Sequence, residues 1–328
     1  MDNKFKAWHL SQQDKVTIAK LKKININDLM LGDTVVKVVS SGINYKDALA
    51  LTGKAPVVRK FPMIPGIDLA GIVEDSDNPL FKKGDNIFAT GHGMGEIHYG
   101  GLSEYARIDS QWLLKVPKQF SCNDIMSIGT AGLTAMLCVI GIEESGITPN
   151  MGEIVVTGAT GGVGAFAIMI LSKLGFRVVA STGKIYEEKY LMRLGAERII
   201  DNEVFEGTPR LIDKETWASA IDVIGGNTLS HIISQTARGG AISVCGQIQG
   251  INLSTNMAPF ILRGIKLLGI DSAYCKKENR ENAWNRLTEL IDLDLIKSVI
   301  TEIDIDEVLL ISNKIIEGNH KGRYIVNM

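Results

Sequence analysis

The residues with the clearest chemical reading lie in Ile154-Val-Val-Thr-Gly-Ala-Thr-Gly-Gly-Val-Gly164, where a short apolar run meets a cluster of glycines. Gly161 and Gly162 allow a tight turn and a close backbone approach to a pyrophosphate. Gly164 lets the following helix pack on the strand, so that the N–H groups around Thr160 and Val163 face the anion. Ala159 stands where the strict Gly-x-Gly-x-x-Gly pattern has its first glycine. The second ribose of a dinucleotide is read at the end of the next strand, where an Asp or Glu would hold the 2′-hydroxyl of NAD. Ser181-Thr182-Gly183-Lys184 stands there instead. Two hydroxyls, a flexible glycine and a cation suit a 2′-phosphate, with Lys189 as a second cation, so the expected cofactor is NADPH. The plainer alternatives are a turn that needs glycine and a lysine that is merely solvated.

Other reactive side chains are scattered. Cys122, Cys138, Cys245 and Cys275 include no Cys-x-x-Cys pair and no His at zinc-site spacing, so they read as buried, reduced thiols. His92 and His98 fall in Gly91-His-Gly-Met-Gly-Glu-Ile-His-Tyr-Gly-Gly101, where flanking glycines give no rigid scaffold and no third ligand follows. No metal is expected.

A glycine loop of this kind works only between a strand and a helix. From Gly152 the chain supplies them: EIVVTGA, a helix over about 163–174, FRVVAST, a helix through EEKYLMRLG, then AERIID, AIDVIGG, LSHIISQTA and GGAISVCG. That alternation predicts a parallel sheet covered by helices on both faces. Before it, from Thr34 to about Val116, short β-rich pieces broken by glycine predict a compact barrel-like domain without long helices. SCNDIMSIGTAGLTAMLCVIGIEESG then has apolar residues at helical spacing, with Ser121 or Asn123 as N-cap. After the strand-like IKLLGIDS come the helical ENAWNRLTELIDLDLI and, at the end, one helix and one strand.

Composition bounds the function. The 328 residues are 45% hydrophobic and 22% charged, and 35 Lys+Arg against 37 Asp+Glu leave a formal charge of −2. Without a basic block there is no electrostatic footprint for nucleic acid or an anionic membrane. The opening residues lack the apolar core of a signal peptide, and no run of uninterrupted apolar residues has bilayer length, so a cytoplasmic location is expected.

Taken together, several stretches resemble the medium-chain dehydrogenase/reductase superfamily, in its zinc-independent quinone-oxidoreductase group, and most of all the NADPH-dependent acryloyl-CoA reductases. They are Ile43-Asn-Tyr-Lys-Asp-Ala-Leu-Ala50, Phe61-Pro-Met-Ile-Pro-Gly-Ile-Asp-Leu-Ala-Gly71, Ile128-Gly-Thr-Ala-Gly-Leu-Thr-Ala-Met-Leu-Cys-Val139, Gly152 to Gly164, Pro259-Phe-Ile-Leu-Arg263 and Gly269-Ile-Asp-Ser272. The resemblance implies a Rossmann doubly wound parallel sheet inserted in a GroES-like β-barrel catalytic domain. Its expected boundaries are 1–121 for the catalytic domain, 122–272 for the NADPH-binding domain and 273–328 for a segment returning to the first, with the active site in the cleft between the two. It also implies a homodimer joined at the sheet edge near Ile265–Asp271. Zinc-binding relatives carry Cys where this chain has Asn44, Gly-His-Glu where it has Gly66-Ile67-Asp68, and another Cys near Ile128. Asp68 alone cannot close a site that needs three ligands.

A relative without zinc should favour conjugate reduction, in which hydride adds to the β-carbon of an unsaturated thioester and hydrogen bonds hold the enolate oxygen. Asn44 and Tyr45 are the donors the resemblance places beside the nicotinamide, Tyr45 contacting the cofactor as well, with Asp68 and Asp47 as weaker acids. A turn holding a buried ring is the bland reading of Asn44-Tyr45. Further cofactor contacts carried over by position are Ile224, Cys245, Gly246, Ile270, Asp271, Ser272 and Arg323. The His92–His98 loop is expected to pack near the substrate entrance, and Arg59 and Lys60 are candidates for the phosphates of a CoA handle. Three functions stay open: acryloyl-CoA reduction to propionyl-CoA, reduction of a quinone, enal or enone, and a non-enzymatic NADPH-binding protein.

Overall fold

The computed structural model describes residues 4–328. The elements begin with β1 (Phe5–Gln13), β2 (Val16–Ile24), β3 (Thr34–Ile43), α1 (Tyr45–Thr52), β4 (Asp68–Ser76), β5 (Asn86–Thr90), β6 (Tyr105–Ile108) and β7 (Leu114–Lys115). There follow α2 (Cys122–Glu144), β8 (Glu153–Val156), α3 (Gly162–Lys173), β9 (Arg177–Thr182), α4 (Glu188–Leu194), β10 (Arg198–Asp201), β11 (Trp217–Asp222), α5 (Gly226–Gln235) and β12 (Thr236–Val244). The chain ends with α6 (Ala258–Arg263), β13 (Lys266–Gly269), α7 (Lys277–Leu290), α8 (Leu293–Lys297), β14 (Ile300–Asp304), α9 (Val308–Ile316) and β15 (Arg323–Asn327). Two units result, one running up to Thr130 and resuming at Ile296, the other Ala131–Leu295.

In the first unit seven strands form one sheet, in the order β14-β15-β3-β4-β5-β7 with β6 also on β3. Alternating residues of β3 turn Val36 and Val38 inward, where they meet Leu69, Val73, Ile87, Ala106 and Ile108 in a fully apolar interior. β15 lies parallel to β14 and antiparallel to β3, so that Ile325 pairs with Gly42 and Tyr324 with Ile43. A second cluster packs α1 against α9 through Leu51, Val308, Ile311 and Ile315, with Trp8 and Leu10 beneath. The Trp8 indole donates to the Ile305 carbonyl at 2.8 Å, which satisfies the one polar atom of that buried ring.

The second unit holds a six-stranded parallel sheet in the order β10-β9-β8-β11-β12-β13. Val155, Val179, Ala220 and Ile242 fill its middle, as strands covered on both faces require. Because all six strands run the same way, the loops after them gather along one edge. The predicted elements of this unit are present, and Ser121 caps α2 through reciprocal bonds with Asp124 (2.6–3.1 Å).

Four features depart from expectation. The unit boundaries fall after Thr130 and Leu295 rather than at 121 and 272, since α7 is tied within the second unit by Arg286 to Glu143 (2.6 Å) and by Arg280 to the Ser272 carbonyl (3.0 Å). The β1–β2 hairpin and β14 were not foreseen. Finally, α2 is 23 residues long with mean hydropathy 2.0, enough by length and composition to cross a membrane. It is 78% buried within the fold over that stretch and broken at Gly129 (φ 47°, ψ −154°), the mark of a core helix.

Candidate functional site

In the nucleotide loop the strand, turn and helix are contiguous, and their spacing is set by atoms that glycine leaves out. Gly158 sits at φ +56°, and a Cβ on Gly164 would lie 2.4 Å from the Gly158 carbonyl oxygen. Only glycine lets α3 approach so closely. The first α-helical bond here runs from Ala165 N to Gly161 O (2.9 Å), so the N–H groups of Gly162, Val163 and Gly164 precede it and face outward from the helix start. Ala159 N donates to the Ser181 carbonyl at 3.1 Å, which locks the loop to the end of β9. This cradle fits a pyrophosphate.

The end of β9 has no carboxylate, but its hydroxyls do not all face outward. Ser181 is fully buried and donates to Asn202 Oδ1 (2.7 Å), and Thr182 Oγ1 accepts from Lys184 N (3.0 Å). Ser181 therefore acts as a brace rather than a phosphate donor, a correction imposed by the register that sets β10 beside β9. What faces solvent is Gly183, flanked by half-buried Lys184 and exposed Lys189. Burial lowers the Lys184 pKa. Asn202 was not predicted, although a residue following the neighbouring strand of a parallel sheet is where such a brace would be sought.

The turns after the other strands are held by local bonds. Asp222, buried at the end of β11, accepts from Thr157 Oγ1 (2.8 Å) and Gly225 N (2.7 Å), which shapes the turn through Ile224. Burial raises the Asp222 pKa against these bonds. Cys245 N donates to the Asp222 carbonyl at 3.0 Å, and a Cβ on Gly246 would lie 2.1 Å from the Val223 carbonyl oxygen. Cys138, fully buried, has its thiol pKa pushed well up by a hydrogen bond with Cys245 and by burial. Ile270 N donates to Val244 O (2.9 Å). Asp271 is turned back on its own loop, accepting from Ala273 N and Tyr274 N (2.9 and 3.1 Å), and Ser272 accepts from Thr134 Oγ1 (2.7 Å). Asp271 and Ser272 thus order the loop.

In the first unit the residues expected to be catalytic form one network. Asn44 is the N-cap of α1, in a capping box with Asp47, and its backbone N–H donates to Asp47 Oδ2 at 2.9 Å. Its Nδ2 donates to Asp68 Oδ2 (2.9 Å) and Asp47 Oδ2 (3.2 Å), while its Oδ1 accepts from Arg323 Nη1 (2.7 Å). Both faces of the amide are spent. Asp68, with no exposed surface, accepts from Arg323 Nη2, Thr130 N (3.1 Å) and Thr130 Oγ1 (2.5 Å). Every partner is a donor, so Asp68 serves as the anion of an ion pair. The expected roles of Asn44 as oxyanion donor and Asp68 as acid are corrected accordingly. So is that of Arg323 as a cofactor contact, because it is 3% exposed and its guanidinium is turned inward.

Tyr45 differs from its neighbours. It is the first residue of α1 and 38% exposed, and its hydroxyl has no partner among the described residues. Next to it Lys46 pairs with the largely buried Glu96 at 2.7 Å, and Arg59 N donates to the Glu96 carbonyl (2.9 Å). This tie between α1 and the glycine-rich loop was not legible from either segment alone. Arg59 and Lys60 are exposed. His92 stacks on Trp112 (5.5 Å, 4°) and His98 meets the same ring edge-on (5.1 Å, 86°), so both histidines pack their loop. Among the described residues no group of three or more His, Cys, Asp or Glu is arranged to hold a metal ion.

Asp47 is buried, and desolvation pushes its pKa up to about 6 despite bonds from Asn44 N and Ile67 N.

Two family descriptions match the chain: "Alcohol dehydrogenase GroES-like domain" over residues 31–118 and "Zinc-binding dehydrogenase" over residues 162–291. The chain is 43% identical to an Escherichia coli K12 protein named "Probable acrylyl-CoA reductase AcuI", across 97% of this chain and 98% of that one. It is 38% identical to a Bacillus subtilis 168 protein named "Putative quinone oxidoreductase YhfP", across all of both chains. The crystal structure of E. coli K-12 YhdH with bound NADPH is similar at a TM-score of 0.96 and 43% identity, covering 98% of this chain and 99% of that chain.

Proposed function

The chain belongs to the medium-chain dehydrogenase/reductase superfamily, close to its acryloyl-CoA reductases, and on that premise we propose that it reduces acryloyl-CoA to propionyl-CoA with NADPH. The near full-length match to a protein named for this reaction carries the reading. NADPH supplies a hydride to the β-carbon. Acryloyl-CoA, NADPH and a proton thereby become propionyl-CoA and NADP⁺.

The protein's part is to bind and to handle charge. The first turn of α3 holds the pyrophosphate, and Gly183 with Lys184 takes the 2′-phosphate. Electron density moving onto the thioester oxygen needs a donor, and the α-carbon then needs a proton. Tyr45 is assigned both tasks, since its hydroxyl has no partner among the described residues while Asn44 and Asp68 are spent on each other and on Arg323. No zinc takes part in this scheme. Where zinc-binding relatives carry ligands, this chain has a capping amide, an isoleucine and an ion-paired carboxylate.

The assembly proposed is a homodimer formed at β13, which among the described residues pairs only with β12 and follows α6 with its exposed Ile261 and Leu262. The location proposed is the cytoplasm, where four free thiols stay reduced. The name of the Bacillus relative favours a second reading, NADPH:quinone reduction, which would use the same nucleotide site.

The test follows loss of NADPH absorbance with acryloyl-CoA, crotonoyl-CoA, free acrylate and a soluble quinone, repeating the best with NADH. Preferential turnover of acryloyl-CoA with NADPH is expected. Turnover of quinone alone would replace the thioester with the second reading, and silence with all four, despite NADPH binding, would leave a binding protein.

A further inference from the structure

Helix α2 is interrupted in a particular way. In an unbroken helix Thr130 N would donate to Met126 O. Here Thr130 N turns to the Asp68 carboxylate, and Met126 O accepts from Arg323 Nε at 3.0 Å. Anion and cation thus take the donor and acceptor that the break at Gly129 sets free. The space they occupy is made by two glycines on different elements. A Cβ on Gly129 would lie 2.0 Å from Arg323 Nη2, and one on Gly42 would lie 2.2 Å from it.

An ion pair buried this deeply is costly to desolvate, and an apolar pair of similar volume often stabilises a fold as well. Its distinguishing property is fixed geometry. Pinned to the α2 backbone on one side, the pair presents Arg323 Nη1 and Asp68 Oδ2 to the two ends of the Asn44 amide on the other. Asn44 in turn caps α1, and the next residue is Tyr45.

We propose that Asp68 and Arg323 are positioning residues for the Tyr45 hydroxyl, acting through the Asn44 cap. The inference rests on the assignment of Tyr45 as proton and hydrogen-bond donor.

A double-mutant cycle tests it, run with whichever acceptor the wild-type enzyme reduces. Tyr45→Phe and Arg323→Lys are made singly and together, with kcat, KM and NADPH dissociation constant measured for each. Arg323→Lys should lower kcat about ten- to hundredfold, as a displaced catalytic group does, with NADPH affinity unchanged. In the Tyr45→Phe background it should lower kcat no further. Losses that multiply in the double variant, or an unchanged kcat for Arg323→Lys, would overturn the proposal. A Tyr45→Phe variant with wild-type kcat would instead remove the assignment of Tyr45, and the inference with it, while leaving the reductase activity standing. Silence of the wild type with every acceptor removes the reaction and the inference together. Should circular dichroism show that Arg323→Lys is unfolded, Asp68→Asn replaces it in the cycle, since it removes the anion of the pair at nearly constant side-chain size, with the same two outcomes.

Discussion

At the scale of single residues, Asp47 has a titration that stability measurements should register. Its ordinary pKa of 3.8 rises to about 6 in the fold because burial outweighs the N–H groups that favour its charge. A carboxyl that binds its proton more tightly when folded stabilises the protein most when protonated. The contribution is complete below about pH 4 and is lost as pH rises through about 6. The shift corresponds to about 3 kcal/mol. Urea unfolding across that range should show this fall in the wild type and its absence in Asp47→Asn, and identical slopes would remove Asp47 as the source. Lys184 gives a second prediction. Lys184→Ala should raise KM for NADPH about ten- to hundredfold, the loss of one charge-assisted bond, and leave KM for NADH unchanged. Equal effects on both cofactors in steady-state kinetics would move the 2′-phosphate elsewhere. Residue types alone made Lys184 visible as a candidate, and the family resemblance did so for Tyr45. They could not show that Ser181, Asn44 and Asp68 spend their polar atoms inside the fold, since Asp68 meets Arg323 across 255 positions of sequence.

At the scale of elements, legibility followed contiguity. The run from β8 through the glycines into α3 was readable because strand, turn and helix adjoin, and Gly158 and Gly164 each have a local steric reason. Gly164→Ala would press a methyl group on the Gly158 carbonyl at 2.4 Å. It should cost about 1–3 kcal/mol in denaturant unfolding and weaken NADPH binding about tenfold in a fluorescence titration. An alanine variant as stable and as tight as wild type would mean that the loop yields. The break in α2 was not readable, because Gly129 breaks a helix only where an outside donor and acceptor take over its bonds. Nor was the β1–β2 hairpin, for β2 has no buried residue and so no alternation of core and solvent faces. β14, five residues with one buried, is equally faint.

At the scale of the whole molecule, the parallel sheet ends at β13 with no further strand among the described residues; Leu267 of β13 is 36% exposed and Ile261, on α6, is 71% exposed. Sedimentation should give twice the chain mass of 35.7 kDa for the wild type and one chain mass for Leu267→Lys with Ile261→Lys. A wild type of one chain mass would dismiss the dimer. The order of strands along the chain has a separate consequence during synthesis. Ala131–Leu295 is continuous in sequence, so its sheet can close while later residues are still inside the ribosome. The other sheet cannot. β15, the latest of all the described strands to be made, lies between β14 and β3 and carries Arg323 at its start. A nascent chain halted between 296 and 322 would therefore carry a finished nucleotide loop in one unit and, in the other, a sheet missing an inner strand, with Asp68 still lacking its cation.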